Sequence, residues 1–489
     1  MASTQRPKPF SSGSNACNRS RQFKILFGGI LAGCTVCGVR AAPQHSSDQL
    51  ASNRLQTFTI VVPRHYGAPN GTTVALRVGI ARALNSAGRR EPIFVVEALG
   101  ESGVDAAGRG LLDSLQSLHR EHDLVFVDQR GASVSPLLCP PLPSQATIAE
   151  QTAPIFDSAD TAGCLASFAR NEDWPDLNSH TFAEDLESVR RKLGYRRIEL
   201  IGYFYGTRIV QQYLSRWPDR VSAAVLADMS PMDYPAAEAE AGALSASVAS
   251  TLRACRADPA CAARYPDLDG EWHRASSLLT RERMTKKAER HETGQPEAID
   301  GTGILEWMKL RTLRWTSAAS WPRDVDAITN GRLASVVQQY VSYRRTVLAS
   351  YPLALRIAVD CAENMPGGRE SLPNGSGAAA AERKICASWP VHRLARKFLR
   401  TPRTKVPILA ISGQFDIEAP ASAVRRAAAR FSNAQLVIVP DRARGTDVDW
   451  GECMGPLVTG FLQTRGRGHL DARCVNRLKR PPFITSGAP

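Results

Sequence analysis

The chain has 489 residues, of which 43% are hydrophobic and 22% are charged. This composition is typical of a globular protein and excludes a largely disordered or collagen-like chain. The formal net charge is +14, but no basic patch is interleaved with aromatic residues, so we expect no nucleic-acid partner.

The amino terminus, residues 1–42, is predicted to be a targeting segment and is excluded from the fold. Basic residues precede the apolar run 25–32, and Leu31-Ala32-Gly33-Cys34 resembles a bacterial lipobox. Lipidation of Cys34 would then anchor the protein, with no other membrane association expected. Ordinary secretion, with cleavage after Ala41, is the alternative. Both interpretations export the protein, to the periplasmic side of a bacterial envelope or into the medium.

Eight cysteines remain beyond the targeting segment, an even number that suits a disulfide framework. Eight cysteines permit about a hundred pairings, among which we predict that sequence neighbours pair: Cys139–Cys164, Cys255–Cys261, Cys361–Cys386 and Cys453–Cys474. No Cys-x-x-Cys pair lies near a His-x-x-x-His pair, so no metal site is predicted. No cofactor is expected.

The first half of the chain alternates strand and helix patterns. Strands are predicted at 56–62 and 74–84, joined by the turn Pro69-Asn70-Gly71, and buried strands at 93–96 and 124–128, with a helix at 111–119 between them. This alternation predicts an α/β protein with a mostly parallel sheet. Residues 140–178 are predicted to form an ordered excursion tied by Cys139 and Cys164.

A helix is predicted to follow this excursion. Thr181 and Glu184 form a capping-box pattern at its start. Leu186, Val189 and Leu193 give the helix one buried face, and Gly194 is predicted to end it.

Residues 198–210 carry the pattern strand, sharp turn, helix, with glycines at 202 and 206, and the next strand is predicted at 223–228. Residues 231–400 change to helical patterns with five tryptophans and are predicted to be a helical cap. Strands at 407–413 and 436–440 and a helix at 456–462 return to the sheet. The predicted domains are therefore 43–230, first part of the core; 231–400, cap insertion; and 401–489, last part of the core.

Several motifs between about residues 56 and 476 resemble the exported α/β-hydrolases related to tripeptidyl and prolyl aminopeptidases, including their tripeptidyl-aminopeptidase-like carboxy-terminal segment. They are Asp128-Gln-Arg-Gly131 with Ser135-Pro136-Leu137 and Cys139, the helix 185–195, Cys255 to Cys261, Cys361-Ala-Glu363, Trp389-Pro390, and Leu470-Asp471 with Cys474. The resemblance implies an α/β-hydrolase fold with helices on both faces of the sheet and an inserted cap. The usual disulfides of the family support the neighbour pairing.

The resemblance also assigns the positions of a catalytic triad. The turn at 202–206 matches the nucleophile elbow Gly-x-Ser-x-Gly, but Phe204 stands where the serine belongs. Asp416 retains the acid position. Arg444 occupies the histidine position, and a guanidinium stays protonated, so it cannot accept a proton from a serine.

The oxyanion loop of the family is also altered. Its Gly-Gly-Pro-Gly sequence lets backbone amides approach the substrate, together with the residue after the nucleophile, here Tyr205. This chain has Glu97, Ala98, Leu99 and Gly100 in that loop. We therefore predict a noncatalytic member of this fold whose cleft binds a peptide or another small ligand, or which serves in the cell envelope.

The alternative is an active serine peptidase or esterase with a relocated nucleophile. Ser102, Thr207 and Ser230 are the candidates near the expected cleft, although each is also suited to a turn or cap. His180 and His469 come nearest in sequence to the motif regions. Both are more typical of surface or capping positions than of a general base.

Four structural expectations follow. Phe204 either relaxes the strained turn or folds into the former pocket as a plug. Asp416 and Arg444 form a buried ion pair. Glu97 and Glu101 make the cleft a charged pocket with Arg444, or are solvated loop residues. Glu363 binds the free amine of a ligand, or is a structural residue beside a disulfide.

Overall fold

The computed structural model describes residues 55–485, apart from 69, 86, 156–157, 170–173, 175, 235, 281–283, 286–297, 365–383 and 447–452. The predicted targeting segment with Cys34, and Pro69 of the predicted turn, lie outside these residues. None of the helices in the described ranges is both long and apolar enough to cross a membrane.

Eight strands form one central sheet in the order β1-β2-β4-β3-β5-β6-β9-β10. The strands β1 and β2 pair antiparallel, as do β2 and β4, and every other pairing is parallel. The bounds are β1 Gln56–Pro63, β2 Thr73–Ala81, β3 Ile93–Val96, β4 Leu124–Val127, β5 Ile198–Tyr203, β6 Val221–Ala227, β9 Ile408–Gly413 and β10 Ala434–Val439; β7, Met284–Thr285, and β8, Ala298–Ile299, form a separate two-stranded sheet.

The sheet is covered on both faces, as the continuous apolar runs in its central strands predict. Every residue of β3, β4, β5, β6 and β9 is buried. Alternate residues belong to different cores: Phe94 and Leu200 pack in one, and Ile93 and Ile201 in the other. This alternation follows from the two-residue period of a strand, and it confirms the prediction of a mostly parallel sheet covered on both faces.

Helices surround the sheet and fill the long insertion after β6. Their bounds are Gly103–Ala106, Leu112–Ser114, Gln116–His119, Ile148–Thr152, Ser158–Ala169, Ser179–Lys192, Gly206–Arg216, Ala236–Ala257, Pro259–Arg264, Leu268–Thr280, Gly301–Arg311, Trp315–Ala318, Trp321–Thr329, Ala334–Ser350, Leu353–Glu363, Ala421–Ala428 and Gly455–Thr464. A π-helical segment spans Ala107–Leu111, and short 3₁₀ helices span Pro218–Arg220 and Arg473–Arg477.

Two helix predictions need correction. The predicted helix 111–119 is interrupted at Leu115, whose φ of −94° and ψ of 14° leave the helical region. The helix predicted to start from a capping box at Thr181 begins earlier, because the side chain of Asn178 accepts a hydrogen bond from the Thr181 amide. Its end is as predicted, since Gly194 has a φ of +73° that suits glycine.

The helices between β6 and β9 contain a hydrophobic core of their own. Trp272, Trp307 and Trp321 lie in it. Trp389, by contrast, packs with the core on one face of the sheet, as do residues of the helix Leu353–Glu363. The boundaries 231–400 for a cap domain stay a prediction.

All four predicted disulfides are present: Cys139–Cys164, Cys255–Cys261, Cys361–Cys386 and Cys453–Cys474. The first ties the excursion after β4, as predicted.

Candidate active site of a hydrolase fold

The turn between β5 and the helix Gly206–Arg216, which we call the elbow, keeps a strained backbone. Phe204 has a φ of +50°, a left-handed conformation that costs a bulky residue about 1–2 kcal/mol. Its amide donates to the Ala227 carbonyl at 2.9 Å, and its carbonyl accepts from the Thr207 amide at 2.9 Å. The prediction that the turn has relaxed is therefore wrong.

The two glycines of the elbow are required by close packing. A Cβ on Gly206 would lie 2.3 Å from the Val96 carbonyl oxygen, and a Cβ on Gly202 would lie 2.8 Å from the Gly206 carbonyl carbon. Real Cβ atoms do not approach other atoms so closely, so the helix can start against the end of β3 only if both residues lack a side chain. The sequence spacing of these glycines thus fixes the geometry of the elbow.

Phe204 and Arg444 form a stacked pair at the elbow. The guanidinium carbon of Arg444 lies 4.6 Å from the centre of the Phe204 ring, within the range of a cation–π interaction. Both side chains are half-buried, and Phe204 packs against one of the two sheet cores. The hypothesis of a plug in the former pocket stays a prediction.

Asp416 lies in the loop after β9 and is 1% exposed. Its carboxylate accepts hydrogen bonds from the Ser412 hydroxyl at 3.0 Å, the Gly413 amide at 3.2 Å and the Glu418 amide at 2.9 Å. Within the described ranges no ion pair of 4.0 Å or less joins it to Arg444. The predicted ion pair is wrong, because local donors already satisfy the carboxylate and Arg444 turns to Phe204.

A second buried acid lies beside Asp416 and was missed from the sequence. Asp228 follows β6, has a φ of +53° and is completely buried. It accepts hydrogen bonds from the Gly445 amide and from the amide and hydroxyl of Thr446. Burial raises the pKa of Asp228, and burial together with the charge of Asp228 raises the pKa of Asp416 well above its usual value.

The sequence did contain a signal for this pair. The strand predicted at 223–228 ends in an acid, and so does the segment after the strand predicted at 407–413. Parallel neighbouring strands bring their carboxyl ends together, and β6 and β9 are indeed neighbours. Which strands would be neighbours was not evident from the sequence.

The loop after β3, at the oxyanion-loop position, is fixed by hydrogen bonds from other segments. The Gln129 amide group donates to the Glu97 carbonyl at 3.0 Å and the Ala98 carbonyl at 3.1 Å, and its oxygen accepts from the Gly100 amide at 3.3 Å. The Tyr351 hydroxyl donates to the Leu99 carbonyl at 2.9 Å.

Glu97 is a buried acid in this loop. It is 8% exposed, and burial, with a smaller contribution from the charge of Glu101, raises its pKa to about 8. Glu97 is therefore mostly neutral at pH 7. Glu101 is exposed, and in the described part of the chain neither acid forms an ion pair with Arg444. The geometry does not support the predicted charged pocket.

Glu363 is buried beneath the elbow helix and is 3% exposed. It accepts hydrogen bonds from the Tyr205 hydroxyl at 2.8 Å and from the Ser179 amide, and it pairs with Arg208 at 3.3 Å. Arg208, which the sequence analysis missed, also donates to Ser230. These contacts favour the structural alternative for Glu363, because an incoming amine would have to displace Arg208. Tyr205, assigned to the oxyanion position, directs its side chain into the same cluster.

The three alternative nucleophiles make structural hydrogen bonds. Ser102 donates to Asp128 at 2.8 Å and caps the helix Gly103–Ala106. Thr207 donates to the Phe204 carbonyl at 2.6 Å, and Ser230 accepts from Arg208 at 2.9 Å. None of these described contacts is to a histidine, so no base is placed to activate a hydroxyl.

The candidate histidines lie in other surroundings. His180 stacks on Phe398, with ring centres 4.2 Å apart, and contacts Arg216 at 3.1 Å. Burial and the charge of Arg216 lower its pKa. His469 is exposed. No described contact joins either residue to the elbow.

The described residues contain no group of three or more His, Cys, Asp or Glu side chains that could hold a metal ion. Two surface cavities of about 420 and 390 Å³ are present. The larger is lined by residues that include His180, Asp176 and His392. Phe204, Arg444 and Asp416 line neither.

The sheet order, the strand-turn-helix elbow and an acid after β9 define an α/β hydrolase. The model of the alpha/beta hydrolase fold family matches residues 91–444, which is more than half of the chain. The protein therefore belongs to this family.

Among curated proteins, the chain is similar to serine protease Hip1 of Mycobacterium tuberculosis and of Mycobacterium bovis. The identity is 27% over 183 residues, covering 34% of this chain and 34% of the relative. The match thus spans about a third of the length of these relatives.

Solved structures with a similar chain course include a serine hydrolase from the bacterium Cycloclasticus zankles, at 12% identity and a TM-score of 0.39, covering 85% of this chain and 100% of that chain. A hydrolase from Pseudomonas aeruginosa PA01 has 17% identity and a TM-score of 0.36, covering 79% of this chain and 94% of that chain. The assignment to the family rests on the family model.

Proposed function

We propose that this protein is an exported, noncatalytic member of the α/β hydrolase family that binds a ligand at the elbow. One observation carries the proposal: the strained position that holds the nucleophile in the resembled enzymes holds Phe204, and Arg444 is stacked on its ring. Neither side chain can attack a carbonyl or accept a proton at neutral pH.

The expected loss of activity is large. Removing the serine or the histidine of such a triad costs about 10⁶ in turnover, and removing both costs little more because they act together. The remaining acid, Asp416, is buried among local donors and holds no base in place. The altered loop with Glu97 further reduces residual catalysis that an oxyanion site would supply.

Export is supported by the disulfides. Four disulfides join all eight cysteines beyond the targeting segment, and such frameworks persist in oxidising compartments outside the cytoplasm. Anchoring through Cys34 is a separate proposal. It predicts that cells fed a labelled fatty acid incorporate the label into the full chain and not into a Cys34→Ser variant. Label in the variant, or none in either protein, would argue for ordinary secretion or another route.

A fluorophosphonate probe, which labels activated serines, tests the absence of catalysis. We expect no labelling of the purified protein. The double variant Phe204→Ser, Arg444→His restores a nucleophile and a base at positions that the elbow and the loop after β10 retain, so we expect it to label faster than Phe204→Ser alone. The single variant is the matched control for a serine without a base.

Labelling of the unmodified protein at the rate of an ordinary serine hydrolase would refute the proposal. Repeating the assay with Ser102→Ala, Thr207→Val and Ser230→Ala would then identify the relocated nucleophile.

A further inference from the structure

Arg444 is a cation without a polar partner in the described structure. Its Nε is buried and has no hydrogen-bond acceptor, and no ion pair or hydrogen bond joins its guanidinium to any residue of the described ranges. By contrast, Arg130 forms a two-pronged pair with Asp185, and Arg208 pairs with Glu363. A guanidinium offers five donors, so Arg444 has donors available for a ligand.

The elbow helix adds positive potential at the same place. It runs for 11 residues, Gly206–Arg216, and begins two residues after Phe204. Its first turn contains no acidic residue, and the side chain of Tyr205 does not cap it. The amides at a helix start carry a partial positive charge that favours anions. Phe204 thus contacts the guanidinium through its ring and lies two residues before the helix start.

Burial shifts the acids around the elbow toward their neutral forms. The pKa of Glu97 is about 8, and that of Asp416 is well above its usual value, because both are buried. Burial also raises the pKa of Glu418. Asp228 accepts hydrogen bonds from Gly445 and Thr446, and the charge of Arg444 lowers its pKa, so Asp228 offsets part of that charge. No ion pair joins Arg444 to any of these acids in the described ranges, so its guanidinium donors stay available.

Phe204 supplies an apolar contact beside this cation. The residue is half-buried rather than enclosed, so part of it is exposed to solvent. An anionic ligand with an apolar segment would satisfy both neighbours. Its negative group would accept hydrogen bonds from Arg444, and its apolar part would cover the ring.

We propose that Arg444 and Phe204, which we call the elbow surface, bind a carboxylate carried on an apolar chain. This inference rests on the proposed function, since an intact triad would occupy the same place. A fatty acid and the carboxyl terminus of an apolar peptide share this chemistry.

Calorimetric titration with four probes tests the proposal. Dodecanoate and N-acetyl-Leu-Phe carry the carboxylate, and dodecanol and N-acetyl-Leu-Phe-amide are their neutral counterparts. At pH 7, with the fatty probes below their micelle concentrations, we expect at least one carboxylate to bind about tenfold or more tightly than its neutral counterpart, because a charge-assisted hydrogen bond is lost. Which of the two binds distinguishes the fatty-acid source from the peptide source.

The variant Arg444→Gln should weaken binding of that carboxylate about tenfold or more. Arg425→Gln, which removes an exposed arginine from the helix Ala421–Ala428, should leave binding unchanged. Equal affinity for charged and neutral probes in the unmodified protein, binding of neither carboxylate, or full affinity in Arg444→Gln would overturn the inference. These outcomes are independent of fluorophosphonate labelling, so the proposed function can stand while this inference fails.

Discussion

Replacement of Glu97 by glutamine should stabilise the folded protein, and the gain should grow with pH. In the folded state burial raises the pKa of Glu97 from its ordinary 4.5 to about 8. Below pH 4.5 the group is protonated in both states and costs nothing. Between pH 4.5 and 8 the unfolded chain releases the proton while the folded chain keeps it, so the free energy of unfolding falls as pH rises. Above pH 8 the loss is complete.

The magnitude follows from the difference in pKa between the two states. Each pKa unit corresponds to about 1.4 kcal/mol, so the full loss is about 5 kcal/mol, an upper figure because water penetration and relaxation reduce it. Glu97→Gln keeps the shape and removes the titration. It should therefore gain stability over the unmodified protein by about 1 kcal/mol for each pH unit between 5 and 8.

Unfolding in guanidinium chloride with intact disulfides, at pH 5, 6, 7 and 8, measures this gain. Glu199 is also buried with a pKa of about 8, but it is present in both proteins and cancels in the difference. Glu101→Gln is the control from the same loop; it removes a neighbouring charge and leaves Glu97 to titrate, so the slope should persist. A difference between Glu97→Gln and the unmodified protein that stays constant from pH 5 to pH 8 would refute the reasoning.

Three further substitutions test the elbow and the buried charges. Phe204→Gly should be about 0.5–1 kcal/mol more stable than Phe204→Ala in urea titrations, because a φ of +50° penalises a Cβ; the opposite order would argue against strain. Gly206→Ala should lower the free energy of unfolding by about 3 kcal/mol, since its Cβ would lie 2.3 Å from a carbonyl oxygen. Gly242→Ala is the control and should cause no steric loss, because no atom lies within 4 Å of the added Cβ. Equal effects of the two changes would contradict the packing argument. Arg130→Met should lower the free energy of unfolding by about 3–5 kcal/mol, because it leaves Asp185 buried without its ion-pair partner. Adding Asp185→Leu should recover part of that stability. Simple additivity of the two changes would count against a coupled pair.

Features set by neighbours in sequence were predictable. Short apolar runs predicted the buried strands, and the spacing of Gly202 and Gly206 predicted the elbow. The disulfides followed from the pairing of neighbouring cysteines, which the resemblance supported. The helix start was misplaced by a few residues, because Asn178 and Thr181 are both good caps and only the path of the incoming chain selects between them.

The candidate site depends on contacts between distant segments. The sequence identified Phe204, Asp416 and Arg444 as residues of one site, but it paired the wrong two. The sequence does not show which donors lie closest to a buried carboxylate. In the structure the backbone amides of Gly413 and Glu418 donate to Asp416.

The sequence alone predicted that this protein has the core of a hydrolase, because strand runs and glycine spacing reside in the sequence. The resemblance to aminopeptidases placed Phe204 and Arg444 at the serine and histidine positions. The tertiary structure decided that two acids share a buried corner and that a guanidinium covers an aromatic ring. Those arrangements depend on which strands become neighbours and on how much water remains between them. Burial, which no single stretch of chain encodes, raises the pKa of Glu97, Asp228 and Asp416.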